Sequence, residues 1–414
     1  MKKVNFKNKK FWRLWISHAL SQISNYLLLF VLLGRLFEIT SSTVAISMLW
    51  IVYAIPLILL GPFSGSLIDC LSKKRVLITT NLLQALIIAS YSLTFFWQKN
   101  YLVYSLLFIY SLINQFNNPA ELAAIPNLVK KKNLSMANNI LLFTNQASFT
   151  LGAALSGLLV KLFSPVAVIL TAATATLLSG LNATFLPFDR PIAKINNWNL
   201  AMEEIFLKIK QGYQFIAREK LILYSFGLIV FFQIIIAVSA LILPAFSSEI
   251  LHLTAYDAGY LVAFPVACGL IGGTLILAHH QDKIRKKEWI GSGLSLMGII
   301  IIIFAVIIAK MNGGQEILAP FLSFIAGLAA AITYAPCRTF VQEATPKQIR
   351  GRVFGTLSFI VTIATIPPSI LMAMITELIS IRWLLTLSGL IIFLLGVFIL
   401  RKGNDVILAA NHRS

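Results

Sequence analysis

Acidic residues are scarce in this chain: Asp and Glu together number 15 in 414 residues, against 34 Lys and Arg. Only 12% of the residues are charged and 58% are hydrophobic, a composition that one soluble compact domain of this length could not carry. Cysteine is nearly absent. Cys70, Cys268 and Cys337 are odd in number and have no paired spacing, so neither a disulfide framework nor a Cys-based metal site is expected. His279-His280 lacks the further ligands that a metal needs. No phosphate-cradling glycine loop appears, which excludes an ATP-driven pump contained in this chain. No cofactor is expected. A membrane enzyme or sensor would need acids or histidines clustered at one interface, and none is seen. That leaves a non-transporting protein as a remote alternative.

What the chain does have is long apolar runs. They cover residues 11–36, 44–68, 76–96, 101–129, 141–160, 166–186, 221–243, 260–278, 289–309, 317–341, 353–375 and 383–400. A bilayer core of about 30 Å takes roughly 20 residues of helix to cross. In hydrocarbon each segment must satisfy its own backbone hydrogen bonds. The expectation is an all-α integral membrane protein with twelve transmembrane helices. The first run is long and ends at no clean small-residue cleavage site, so it reads as a retained helix rather than a signal peptide.

The +19 net charge is distributed in alternate gaps. Basic clusters stand at Lys2 to Lys10, Lys73 to Arg75, Lys130 to Lys132, Lys208 to Lys220, Lys283 to Lys287, Lys347 to Arg352 and Arg401-Lys402. The opposite gaps hold only scattered charge, such as Glu38, Lys99, Asp257 and Glu377. Short basic loops stay on the cytoplasmic side, so both termini are expected inside the cell, in a bacterial-type inner membrane. The charge is a topology signal, and no nucleic-acid partner is expected.

The longest polar interruption, residues 188–220, falls between six runs and six runs. The expected organisation is an N-terminal bundle at 1–187, a cytoplasmic linker at 188–220 and a C-terminal bundle at 221–414. Ile205, Ile209, Phe215 and Ile216 recur among Lys208, Lys210 and Arg218, as in a short helix lying on the membrane surface; a solvated tether fits equally. Asn118-Pro119-Ala120-Glu121 late in the fourth run is answered by Ala335-Pro336-Cys337-Arg338 late in the tenth. The rhyme suggests two six-helix bundles related by a pseudo-twofold axis, with a substrate site at their interface. One chain holds both halves, so a monomer is expected.

The gap after the second run reads Gly65-Ser66-Leu67-Ile68-Asp69-Cys70-Leu71-Ser72-Lys73-Lys74-Arg75. This resembles the signature of the major facilitator superfamily between its second and third helices. Gly65, Asp69, Lys73 and Lys74 match, while Cys70 and Ser72 replace a usual Arg and Gly. The resemblance implies that Asp69 meets the start of the eleventh helix, at Arg350-Gly351-Arg352, where free amides would hold a carboxylate as a conformational latch. The plainer alternative is an acid that only balances its basic neighbours in solvent. Pro119-Ala120, Pro126 and Arg350 to Phe354 resemble the exporter branch that includes macrolide efflux pumps and enterobactin-type siderophore exporters. Gly152-Ala153-Ala154-Leu155-Ser156-Gly157 is similar to an exporter motif of the fifth helix, and tight helix packing explains it too. Relatives often carry Arg where this chain has Glu121, and Asp where it has Asn25.

Polar groups inside spans are costly and tend to face a wet cavity. His18, Gln22 and Asn25 share one face of the first helix by spacing. Gln22, Asn25, Tyr26 and Gln233 are the candidates to line a substrate path, with Asn145 and Gln146 behind them; interhelical bonding is the plainer alternative. Glu121, paired with Arg338 by repeat equivalence, and His18 are the candidates for proton coupling. The resemblance implies a secondary transporter that exports hydrophobic or amphipathic small molecules by proton antiport. A dedicated exporter of an endogenous metabolite, such as a siderophore, is the alternative.

Overall fold

The computed structural model describes residues 8–94, 100–130, 133–189, 207, 213–214, 216, 220–280, 286–311, 313–345 and 350–402. Among them are twelve α-helices: α1 Lys9–Thr40, α2 Thr43–Asp69, α3 Lys73–Ser90, α4 Asn100–Leu128, α5 Leu134–Leu162, α6 Pro165–Ala183, α7 Lys220–Glu249, α8 Phe264–His280, α9 Lys286–Val306, α10 Gln315–Ala344, α11 Arg350–Leu378 and α12 Ile381–Lys402. One π-helical turn, Gly259–Ala263, leads into α8. The twelve expected runs are twelve helices. The surface amphipathic segment expected in the 188–220 stretch lies outside the described residues but for isolated positions.

Among the described residues, nine helices are long and apolar enough to cross a membrane by composition, and α3, α4 and α5 are not among them. These three helices carry many polar residues, and α3 also begins on Lys73-Lys74-Arg75. Asn81 and Gln84 sit in α3, Asn114, Gln115, Asn117, Asn118 and Glu121 in α4, and Asn138, Asn139, Asn145 and Gln146 in α5. The apolar surface points the other way: Leu59, Leu86, Leu275 and Phe398 are all more than half exposed. That is the pattern of helices solvated by lipid tails, with polar groups turned inward.

Local chemistry sets the helix starts. Ser164 caps α6 by accepting from the Ala167 amide at 3.1 Å, and Pro165 follows where a missing N–H costs nothing. Pro119 in α4 and Pro336 in α10, the two rhyming prolines, both lie inside continuous helices.

The chain forms two compact units, residues 1–32 with 48–203, and residues 33–47 with 204–414. In the first unit a seam of small hydroxylic residues joins α1 to α6. Ser17 donates to the Ser179 carbonyl at 2.9 Å, Ser179 to the Ser17 carbonyl at 2.7 Å, and Ser24 to the Ala172 carbonyl at 2.6 Å. Small residues allow the approach, and each hydroxyl bond adds about 1 kcal/mol. Phe11, Leu14, Ile68, Leu77, Ala124 and Ile125 form the apolar core at one end of this unit.

In the second unit α9 packs along α12, and α8 along α10. The α8–α10 crossing depends on two glycines. A methyl on Gly269 would come within 3.0 Å of the Gly327 Cα, and one on Gly327 would overlap the Val266 carbonyl. Phe226, Ile229, Phe232, Leu294, Ala329 and Val353 fill the core behind. The segment 33–47 belongs to this unit: Thr43 donates to the Ala373 carbonyl at 2.9 Å, and Glu377 accepts from the Val44 amide at 3.2 Å.

Gly327→Val is expected to lower stability by about 1–3 kcal/mol or prevent folding, as overpacking does. Thermal melting of detergent-purified protein checks it, with Gly313→Val, at a glycine whose added Cβ meets nothing within 4 Å, as the tolerated control.

Candidate functional site

The interior of the first unit holds a buried pair of ionisable side chains on neighbouring helices. His18 on α1 is 6% exposed and Glu121 on α4 is 2% exposed. His18 Nδ1 lies 2.6 Å from Glu121 Oε2, and His18 Nε2 lies 3.2 Å from the Leu141 carbonyl on α5. A carbonyl only accepts, so Nε2 carries a hydrogen. The position between Nδ1 and Oε2 then holds one transferable proton, shared as imidazolium with carboxylate or as imidazole with carboxylic acid. Glu121 Oε1 is buried and has no partner among the described residues. Such an oxygen is costly to leave charged in an apolar interior.

A chain of uncharged polar groups continues from this pair. Gln22 donates to Asn118 at 3.4 Å and accepts from Asn145 at 3.2 Å, and Asn145 accepts from the Tyr26 hydroxyl at 3.0 Å. Alongside, Tyr110 donates to Asn25 at 3.1 Å, Asn114 to the Tyr53 hydroxyl at 3.0 Å, and Gln84 to Asn114 at 3.2 Å. Helices α1, α2, α3, α4 and α5 all contribute. The approach of α5 to α1 is set at Gly152, where a methyl would overlap the Tyr26 side chain and reach its backbone. The Phe149 ring meets Tyr26 edge-on at 5.2 Å and Phe30 at 5.5 Å, placing an aromatic wall beside the amides.

The expected site residues are therefore brought together in part. His18, Gln22, Asn25, Tyr26 and Glu121 share the interior of one unit. Glu121 bonds to His18 where repeat equivalence pointed to Arg338, which is exposed on α10 in the second unit. Gln233 is half-buried on α7, also in the second unit. Tyr53, Asn114 and Tyr110 were not singled out by sequence. The Asn114-Gln115-Phe116-Asn117-Asn118 run in an otherwise apolar helix was the available signal.

The side chains of Asp69, Arg350 and Arg352, and the surroundings of Gly65 and Gly351, lie outside what the structure describes. The basic turn after α2 does show its carboxylate partner, and it is Asp189. Asp189 accepts from the Lys73 amide at 2.7 Å, the Lys74 amide at 3.0 Å and the Ser72 hydroxyl at 2.9 Å. This satisfies free amides at the positive end of α3, while Ser72 itself accepts from Arg75 N–H. The Arg75 guanidinium covers the Phe188 ring at 5.7 Å. Lys73 is buried and Lys74 half-buried. The Asp189-Arg190-Pro191 stretch reads in sequence as a helix breaker; α6 in fact ends earlier, at Ala183, and Asp189 reaches back to cap α3.

The Major Facilitator Superfamily model matches residues 14–314 and, overlapping, 238–406. The chain belongs to the major facilitator superfamily. Among curated relatives of this transporter, an uncharacterized MFS-type transporter, YfiS of Bacillus subtilis (strain 168), is 27% identical over 97% of this chain and 95% of its own. Macrolide efflux protein A of Streptococcus pyogenes is 22% identical over 96% of both. Of solved structures, the nucleoside transporter NupG superposes with a TM-score of 0.70 at 12% identity, over 95% of this chain and 100% of that one. A bacterial homolog of the human lysosomal transporter Spinster, inward-facing and unoccupied, gives 0.72 at 11%, over 97% of both. At these identities the superpositions speak for the fold. The chain is a multi-pass membrane transporter of this superfamily.

Asp189→Ala should cost about 1 kcal/mol, as loss of a helix cap does. Hydrogen exchange should quicken at the Lys73 and Lys74 amides while the amides of α8 and α10 keep their protection.

Proposed function

We propose that this transporter exports hydrophobic or amphipathic small molecules by proton antiport, and that His18–Glu121 carries the proton. The observation that carries the reading is the bond itself: a carboxylate and an imidazole, both buried, sharing one proton inside a membrane helix bundle. Intramembrane ionisable pairs are expensive and are kept where they conduct or couple. The histidine's ordinary titration range also lies near physiological pH. The amide and phenol groups next to the pair, with the Phe149 and Phe30 rings, suit a cargo that is partly apolar and partly hydrogen-bonding. The likeness to macrolide efflux protein A supports export and this kind of cargo.

In this reading Gln22, Asn25, Tyr26 and Gln233 are the residues that take the substrate. Access alternates between the two sides of a bacterial cell membrane. The termini are cytoplasmic by the placement of Lys and Arg, and the monomer is the working unit. Asp69 acts with Gly65, Lys73, Lys74, Arg350, Gly351 and Arg352 as a latch on the cytoplasmic side. Export of an endogenous chelator is the second reading; it takes the same residues and differs in cargo.

The test is accumulation of a macrolide, an intercalating dye and a ferric siderophore in cells expressing wild type, Glu121→Gln or Asp69→Asn at matched levels. Wild type should lower macrolide or dye accumulation, and a protonophore should abolish the effect. Glu121→Gln should retain binding and lose about a hundredfold or more of the transport rate, the scale of a lost proton-transfer group. Protonophore-sensitive efflux at full rate in Glu121→Gln would remove the pair from the mechanism. Movement of the siderophore alone would select the second reading. Normal transport in Asp69→Asn would dispose of the latch.

A further inference from the structure

The His18–Glu121 bond is one rung of a ladder. His18 and Gln22 are four residues apart on α1, and Asn118 and Glu121 are three apart on α4, so each pair stacks on one helix face. His18 meets Glu121 at 2.6 Å and Gln22 meets Asn118 at 3.4 Å. Two rungs therefore join the same two helices one turn apart. Their strengths differ. The inner rung is short, buried and shares a proton between ionisable groups. The outer rung joins two neutral amides near the distance limit of a hydrogen bond, and Asn118 is exposed.

We propose that the Gln22–Asn118 rung couples cargo to the proton: a cargo group that bonds either amide breaks this rung and thereby changes the proton affinity of His18–Glu121. This rests on the proton-carrier reading above and gives Gln22 and Asn118 positioning roles. A neutral bond at 3.4 Å is exchanged for a cargo bond at small cost. One helical turn is stiff, so a change in α1–α4 spacing at the outer rung reaches the inner one. A bond between ionisable groups at 2.6 Å responds steeply to such a change. By linkage, whatever factor cargo imposes on proton affinity, the proton imposes on cargo affinity.

The ladder also names the cargo chemistry. Gln22 and Asn118 each offer a donor and an acceptor, and Asn145 and Tyr26 extend the array without charge. It fits an uncharged carbonyl, hydroxyl or ether group on an otherwise apolar molecule. Among the described residues, the other titratable groups on these elements are Lys9, Lys10, Arg13, Tyr26, Arg35 and Glu38 on α1, Tyr53 on α2, Lys73, Lys74 and Arg75 on α3 with Tyr91 at its end, Tyr101, Tyr104 and Tyr110 on α4, and Lys161 on α5. None of them bonds to His18 or Glu121, whose hydrogen bonds are to each other and to the Leu141 carbonyl.

The experiment is a pH titration of histidine ring signals by NMR on the isotope-labelled full chain, with His18 assigned through His18→Asn. Gln22→Met and Asn118→Ala should each displace the His18 midpoint by about half a pH unit or more, roughly a threefold change in proton affinity. Ser111→Ala, which removes a 2.6 Å bond from α4 to the Tyr53 carbonyl, should leave it in place. Adding a macrolide should displace the midpoint in wild type and fail to do so in the double variant. Equal midpoints in all proteins, or a His18 that never titrates, would overturn the proposal, and the two single variants guard against one that misfolds. Displaced midpoints in a protein that moves no drug in cells would sink the export reading and leave the ladder standing. Proton-driven efflux with unmoved midpoints would do the reverse.

Discussion

A polar group in hydrocarbon must find its partner inside the protein, because the lipid around it offers none. The first unit is organised by that constraint. Its helices α3, α4 and α5 carry amides and a carboxylate, and Gln84, Asn114, Glu121 and Asn145 among them are bonded to side chains of neighbouring helices. The serine seam between α1 and α6 obeys the same rule on another face of α1. Helix α1 is thus bonded on two faces, by hydroxyls towards α6 and by amides and an imidazole towards α4 and α5.

The same constraint gives His18–Glu121 its chemical interest. In water the pair would be an ordinary surface contact of little consequence. Buried, with Nε2 held by the Leu141 carbonyl, it has one place for one proton, and Glu121 Oε1 is left without a partner among the described residues. The neutral array that begins one turn away has the opposite character: longer bonds, partial exposure and no charge. A buried ionisable pair and the start of a neutral polar array lie one turn apart on α1 and α4.

Asp189 illustrates a different economy. The basic turn that follows α2 leaves free amides at the positive end of α3, and a carboxylate from beyond α6 fills that place. The acid of the family signature, Asp69, stands before this turn in sequence and is not needed to complete it.

Much of this was legible in the chain itself. Hydropathy places twelve helices, and the signature around Gly65 to Lys74 points to the superfamily. His18, Gln22 and Asn25 of α1 and Glu121 of α4 were legible as candidates because an imidazole, an amide or a carboxylate in an apolar helix is conspicuous. Sequence could not decide their partners. Glu121 reaches His18 across 103 positions and Asp189 reaches Lys73 across 116. Hydropathy records that a helix is buried in lipid but not its rotation about its own axis, nor its register against a neighbour. Those are settled by packing, at contacts such as Gly152 on Tyr26 and Gly269 on Gly327. Composition and pattern determined that this is a membrane transporter with a buried acid and histidine. Only the tertiary structure, by fixing rotation and register, decided that the two share a proton.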